Sequence, residues 1–107
     1  CLQIRSGETG VLVQGFSLCN GWANQPEFTG NFGGGIFIGY FSNVTVKNCK
    51  IYDNHADCGG GIVVEQSVLA LSGTTIRDNI ARCGGGMEIS CDSNVFFSPT
   101  ARCNIYN

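Results

Sequence analysis

The chain has 107 residues, of which 43% are hydrophobic and 13% charged, with a formal net charge of −2. One domain fits that length, and the charge excludes electrostatic capture of nucleic acid or of an anionic membrane as the main role. No apolar run approaches the roughly 18 residues a spanning helix requires, and the apolar fraction is ordinary for a folded chain.

From the N-terminus, Leu2 and Ile4, Val11 and Val13, then Phe16 and Leu18 alternate at period two. That period predicts three short strands separated by turns. An insertion in a turn follows from Asn24 to Phe32, after which Gly33-Gly34-Gly35-Ile36 opens a second set. Its inward residues are Ile36 and Ile38, Val44 and Val46, Cys49 and Ile51. The third set follows Gly59-Gly60-Gly61-Ile62, with Ile62 and Val64, Leu69 and Leu71, Thr74 and Ile76 facing inward. The fourth follows Gly84-Gly85-Gly86-Met87, with Met87 and Ile89, Val95 and Phe97, Cys103 and Ile105. Thr74 is the one residue in this inward set that is not apolar.

The glycine triplets recur at spacings of 26 and 25 residues, and Ile51 to Ala56 is echoed by Ile76 to Ala81, again 25 apart. A 25-residue unit of three strands cannot bury its own apolar face, so it must stack on its neighbours. The predicted fold is therefore all-β, a right-handed parallel β-helix of about four coils over residues 1–107, the hand following from the general crossover preference of parallel strands. Gly34, Gly35, Gly60, Gly61, Gly85 and Gly86 are expected at sharp corners, where φ > 0 and close backbone approach favour a missing Cβ. Asn54 over Asn79 is expected to form a side-chain amide ladder at the next corner.

Seven Cys without a C-x-x-C pair or zinc-finger spacing suit an oxidising compartment, so a secreted or cell-surface protein is expected. The sequon Asn43-Val44-Thr45 makes Asn43 a candidate glycosylation site. Cys58 and Cys83 each precede a glycine triplet at the same phase, which makes them either an inter-coil disulfide or a ladder of two free thiols. The remaining connectivity is not readable from the sequence.

The Gly-Gly-Gly-Ile or Met triplets and the Ile-x-x-Asn motifs (Ile51 to Asn54, Ile76 to Asn79) resemble the GGA[ILV] and FxxN repeats of chlamydial polymorphic outer membrane proteins. Similar β-helical repeats occur in extracellular proteins of environmental microbes and algae. Gly stands here for Ala and Ile for Phe. The resemblance implies surface display, adhesion or self-assembly and carries no catalytic residue across.

No metal or other cofactor is expected. His55, the single His, reads as a solvated turn residue, since one His beside Cys58 does not make a tetrahedral zinc site. Glycoside hydrolysis needs two carboxyl groups at a set separation. Only Asp53 and Asp78 share a phase in neighbouring coils, and the Asp-Asn pair there reads as turn chemistry. No catalytic residue is therefore assigned. The outward positions Phe37, Val63, Leu12 and Phe96 read as an apolar contact surface for a protein partner, either another copy or the rest of a longer chain. Trp22, Tyr40 and Phe41 offer a sugar-stacking platform instead, so the alternative is a carbohydrate-binding or polysaccharide-degrading domain. No secretory signal is visible and neither end resembles a cap, so the expectation is an excerpt of a longer β-helix or a subunit stacked head to tail.

Overall fold

The computed structural model describes residues 2–23, 32–90, 92–98 and 103–106. The predicted insertion at 24–32 lies outside them, apart from Phe32. Among the described residues every regular element is a short strand. The first coil holds β1 (Leu2–Ile4), β2 (Val11–Gln14) and β3 (Ser17–Cys19), and the second β4 (Ile36–Ile38), β5 (Asn43–Lys47) and β6 (Lys50–Tyr52). The third holds β7 (Ile62–Glu65), β8 (Val68–Ser72) and β9 (Thr75–Arg77), and the fourth β10 (Met87–Ser90), β11 (Asn94–Phe97) and β12 (Asn104–Tyr106).

Each strand pairs in parallel with its counterpart one coil away, giving three sheets: β1-β4-β7-β10, β2-β5-β8-β11 and β3-β6-β9-β12. The register is the one the repeat dictates. Ile36 pairs with Ile62 and Ile62 with Met87, Val44 with Leu69, and Ile51 with Ile76. The chain is a β-helix of four coils.

The inward residues of the two middle coils are closed off completely. Ile36, Ile38, Val44, Val46, Ile51, Ile62, Val64, Leu69, Leu71 and Ile76 are each at most 1% exposed. Each such side chain contributes about 1.5–3 kcal/mol of burial. In the outer coils Leu2, Val11, Leu18, Met87, Val95 and Cys103 pack on that core while staying partly open. Phe16, Ile89, Phe97 and Ile105, expected inward, are more than 40% exposed. Ile89, Phe97 and Ile105 keep their rungs opposite Val64, Leu71 and Ile76. Alternation fixes which way a side chain points, and the two middle coils, flanked on both sides, bury it completely; in the first coil Ile4 (8% exposed) and Val13 (6%) are also buried.

Polar side chains line the inside of the corners and pass hydrogen bonds from coil to coil. Asn54 N and Nδ2 both donate to Asn79 Oδ1, each at 3.0 Å, and Gly21 N donates to Asn54 Oδ1 at 2.8 Å. Asn79 Nδ2 donates to the Ile51 carbonyl at 3.0 Å and Asn54 Nδ2 to the Leu18 carbonyl at 2.9 Å. The expected amide ladder is thus present, and both amides are buried. A serine ladder at another corner was not expected: Ser42 N donates to Ser67 Oγ at 3.1 Å and Ser67 N to Ser93 Oγ at 3.2 Å. Thr74, fully buried, accepts from Cys49 N at 3.4 Å, and its hydroxyl lies 3.1 Å from the Ser72 carbonyl. That accounts for the one polar residue in the inward set.

The glycine triplets divide the two expected roles, and none of Gly34, Gly35, Gly60, Gly61, Gly85 and Gly86 has the positive φ expected of it. Positive φ falls on the first glycine of each, Gly33, Gly59 and Gly84. Gly34, Gly35, Gly60 and Gly61 instead lie where coils nearly touch: a Cβ on Gly60 would sit 2.6 Å from the Gly85 carbonyl oxygen, and one on Gly35 2.6 Å from that of Gly61. At these positions what matters is contact between backbones.

Three outcomes follow for stability, all read from urea unfolding. Asn79→Ala strands the buried Asn54 donors and should cost about 2–4 kcal/mol. Gly60→Ala, driven against backbone, should cost about 3 kcal/mol or more. Gly15→Ala (φ 76°, with open space around the added Cβ) should cost only about 1–2 kcal/mol.

Candidate functional site

The corner that follows the third strand of each coil carries the most distinctive surface. Asn20, Asp53 and Asp78 occupy it in successive coils, all in the left-handed region with φ of 57°, 53° and 52°. Short Asn and Asp side chains tolerate that region, and the turn throws their polar ends outward. The next position turns inward, as Asn54 and Asn79, and the one after it turns outward again. Parallel bridges align that last set as Trp22, His55 and Ile80.

Backbone bonds hold the stripe in place. His55 N donates to the Gly21 carbonyl at 2.8 Å and Ile80 N to that of Asn54 at 2.8 Å. Trp22 is 67% exposed and Ile80 64%, and the Trp22 and His55 rings lie 5.3 Å apart at 53°. Beside the stripe runs an open groove of about 360 Å³, bordered by Asn20, Asp53 and Asp78. Asp78 Oδ2 is engaged by Arg77 Nη1, and the Arg77 guanidinium stacks 4.6 Å above the Tyr52 ring. The hydroxyl of Tyr52 is pushed above its ordinary value, chiefly by its hydrogen bond with Cys19. An aromatic face beside carboxylates suits a ligand with both apolar and hydroxyl surfaces.

Several sequence-based expectations take a different form in space. Phe37 and Val63 do point outward from the first sheet, between Gln3 and Glu88, yet they are only 6% and 2% exposed. They are therefore not open contact residues. Neighbouring residues cover this face: a Cβ on Gly59 would run into Val63 Cγ2, and Phe32, just before the left-handed Gly33, and Tyr40, in the turn after β4, each lie 6.3 Å from the Phe37 ring. Leu12 and Phe96, on the second sheet, are 56% and 59% exposed.

Trp22 and Tyr40 do not form one platform, because the first sheet separates them. Trp22 packs with His55, and Tyr40 packs with Phe37. Asn43 opens β5 and is exposed. Cys58 and Cys83 sit at bridged positions in neighbouring coils. Among the described residues no group of three His, Cys, Asp or Glu is arranged to hold a metal ion. Sequence reasoning missed Ile80 as a surface residue, although its 25-residue offset from His55 would have placed it in the stripe.

The stacked coils and the spacing of their corners agree with a family model for the right handed beta helix region, which matches residues 3–107. The chain belongs to that family. The expected right hand of the β-helix is thereby established. No curated protein and no solved structure matches the chain.

In this β-helix the stripe is separate from the core, so function and stability should divide there. Trp22→Ala is expected to shift unfolding free energy by no more than about 0.5 kcal/mol. The unsubstituted 107-residue chain should show solvent-exposed tryptophan emission that acrylamide quenches readily, since Trp22 is its single Trp.

Proposed function

We propose that the chain is a non-catalytic structural module of an extracellular or surface protein, a β-helical spacer that displays one corner for adhesive contact. The observation that carries this reading is the division of labour among its residues. Those that recur at the repeat period are taken up by the scaffold: glycine triplets in coil-to-coil contacts, Asn54 and Asn79 in buried hydrogen bonds, Ser42, Ser67 and Ser93 in a second ladder. The outward stripe changes from coil to coil, as Trp22, His55 and Ile80, and stays open. Exposed apolar residues in one line are a feature of contact surfaces. The likeness of the Gly-Gly-Gly-Ile and Ile-x-x-Asn motifs to chlamydial surface-protein repeats supports the same reading, as do the seven Cys and the exposed sequon at Asn43.

A second reading is favoured by one observation, the Trp22 ring standing beside the Asp53 and Asp78 carboxylates along an open groove. In that reading the corner binds a glycan, with the indole stacked on a sugar face and the carboxylates taking hydroxyl hydrogen bonds. Asp53 and Asp78 suit this role better than acid–base catalysis, because Arg77 already engages Asp78 and both residues hold left-handed turns.

Both readings meet in one experiment: the folded chain is incubated with neutral and acidic polysaccharides while new reducing ends and unsaturated uronates are measured, and self-association is followed by sedimentation. The expected outcome is no turnover, together with concentration-dependent association that Ile80→Ser and Trp22→Ala weaken. Turnover abolished by Asp53→Asn with Asp78→Asn overturns the non-catalytic reading. Saturable binding to a polysaccharide without turnover, lost in Trp22→Ala, selects the glycan reading.

A further inference from the structure

Cys19, Cys49, Cys58, Cys83 and Cys103 are free thiols in the structure, and two of them occupy adjoining rungs of one ladder. A parallel bridge pairs Cys58 with Cys83, and Gly59 N donates to the Cys83 carbonyl at 2.9 Å. Stacked residues of neighbouring parallel strands are about 4.8 Å apart, inside the Cα range that a disulfide spans. Arg82 N and Cys83 N both donate to the Asp57 carbonyl, at 3.0 and 3.1 Å. Hydrogen bonds therefore hold the backbone at both rungs in register. The other described thiols are placed differently. Cys49 and Cys103 belong to one ladder, but the register of Lys50, Thr75 and Asn104 puts Thr74 between them. Cys19 pairs across the sheet with Tyr52.

The two thiols differ in surroundings. Cys83 is exposed and Cys58 half-buried. Burial first, then the Glu88 carboxylate of β10, then Cys83, push the Cys58 thiol from 9.0 to about 11. Glu88 Oε2 is itself buried with no hydrogen-bond partner, and the Glu88 side chain also hydrogen-bonds the Cys58 thiol.

We propose that Cys58 and Cys83 form a reversible inter-coil disulfide, in which Cys83 reacts first and Cys58 closes the bond. The oxidant is a small-molecule disulfide. The Cys83 thiolate attacks one of its sulfurs, its S–S bond breaks, and one thiolate leaves, with Cys83 held as a mixed disulfide. Cys58 then gives its proton to solvent and attacks Cys83 Sγ, which expels the second thiolate. Two protein thiols become one disulfide, and the reagent disulfide becomes two thiols. The bond latches the fourth coil, whose inward Ile89, Phe97 and Ile105 are exposed, to the closed third coil. It also closes a 25-residue loop in the unfolded chain, which is where most of its stabilisation arises. This latch does not depend on the adhesive reading above.

The test is treatment of the folded, reduced chain with glutathione disulfide at pH 8, followed by non-reducing peptide mapping and thermal unfolding. A Cys58–Cys83 linked peptide is expected, with a melting temperature raised on the order of 10 °C and restored by dithiothreitol. Cys58→Ser should stop at glutathione on Cys83. Closure should speed up with pH toward about 11, as the thiolate fraction of Cys58 grows. Glu88→Gln should accelerate closure several-fold at pH 8. Cys58 and Cys83 both remaining open to alkylation, or a crosslink that maps to another cysteine, overturns the assignment. A closure rate unchanged in Glu88→Gln overturns Cys58 as the slow, closing thiol.

Discussion

Everything in this molecule rests on hydrogen bonding from one coil to the next at a fixed 25-residue interval. A parallel strand leaves its N–H and C=O groups directed at its neighbours, and a single coil satisfies none of them internally. Once coils stack, the strands satisfy one another. The corners then become the weak points, because the chain bends there and its amides leave the ladder. Buried amides without partners are costly. Asn54 and Asn79 resolve this at one corner, Ser42, Ser67 and Ser93 at another, and Thr74 beside Cys49 at the third. Each side chain substitutes for the missing backbone partner one coil away.

The same stacking explains why glycine is so frequent. Coils at strand spacing leave no room for a Cβ where a corner carries its carbonyl toward the coil above. Gly34 and Gly60 meet the carbonyl oxygens of Gly60 and Gly85 in this way. Local turn conformation selects the first glycine of each triplet, and tertiary contact selects those after it. Two different constraints therefore produce one run of identical residues.

Outside the core, the left-handed turns divide the surface. Beside Gly33 and Gly59 neighbouring residues cover the first sheet, with Phe32 and Tyr40 against Phe37 and Gly59 against Val63, so Phe37 and Val63 gain a second layer of packing. At Asn20, Asp53 and Asp78 the turns lift the chain away and leave Trp22, His55 and Ile80 in the open. One corner is consumed by packing and the other is free for contact. The bridged Cys58 and Cys83 each lie directly before a left-handed glycine, and Glu88, on the outward row that also holds Phe37 and Val63, bears on Cys58.

The sequence by itself determined the three-strand unit, its period, the inward set of the middle coils and the Asn54–Asn79 ladder. These follow from alternation and from recurrence at one spacing, which is written in the order of residues. The serine ladder was legible in the same way, from Ser42, Ser67 and Ser93 at a nearly constant interval, but isolated serines in turns carry no signal of burial. Only the tertiary structure decided what each outward or end position meets. Phe37 and Phe96 share an outward direction, yet one is covered and the other open. Leu71 and Phe97 share a rung, yet only Leu71 has a coil on both sides. Periodicity gives direction; burial depends on which segment passes over a residue, and that is settled by turn geometry and by neighbouring coils.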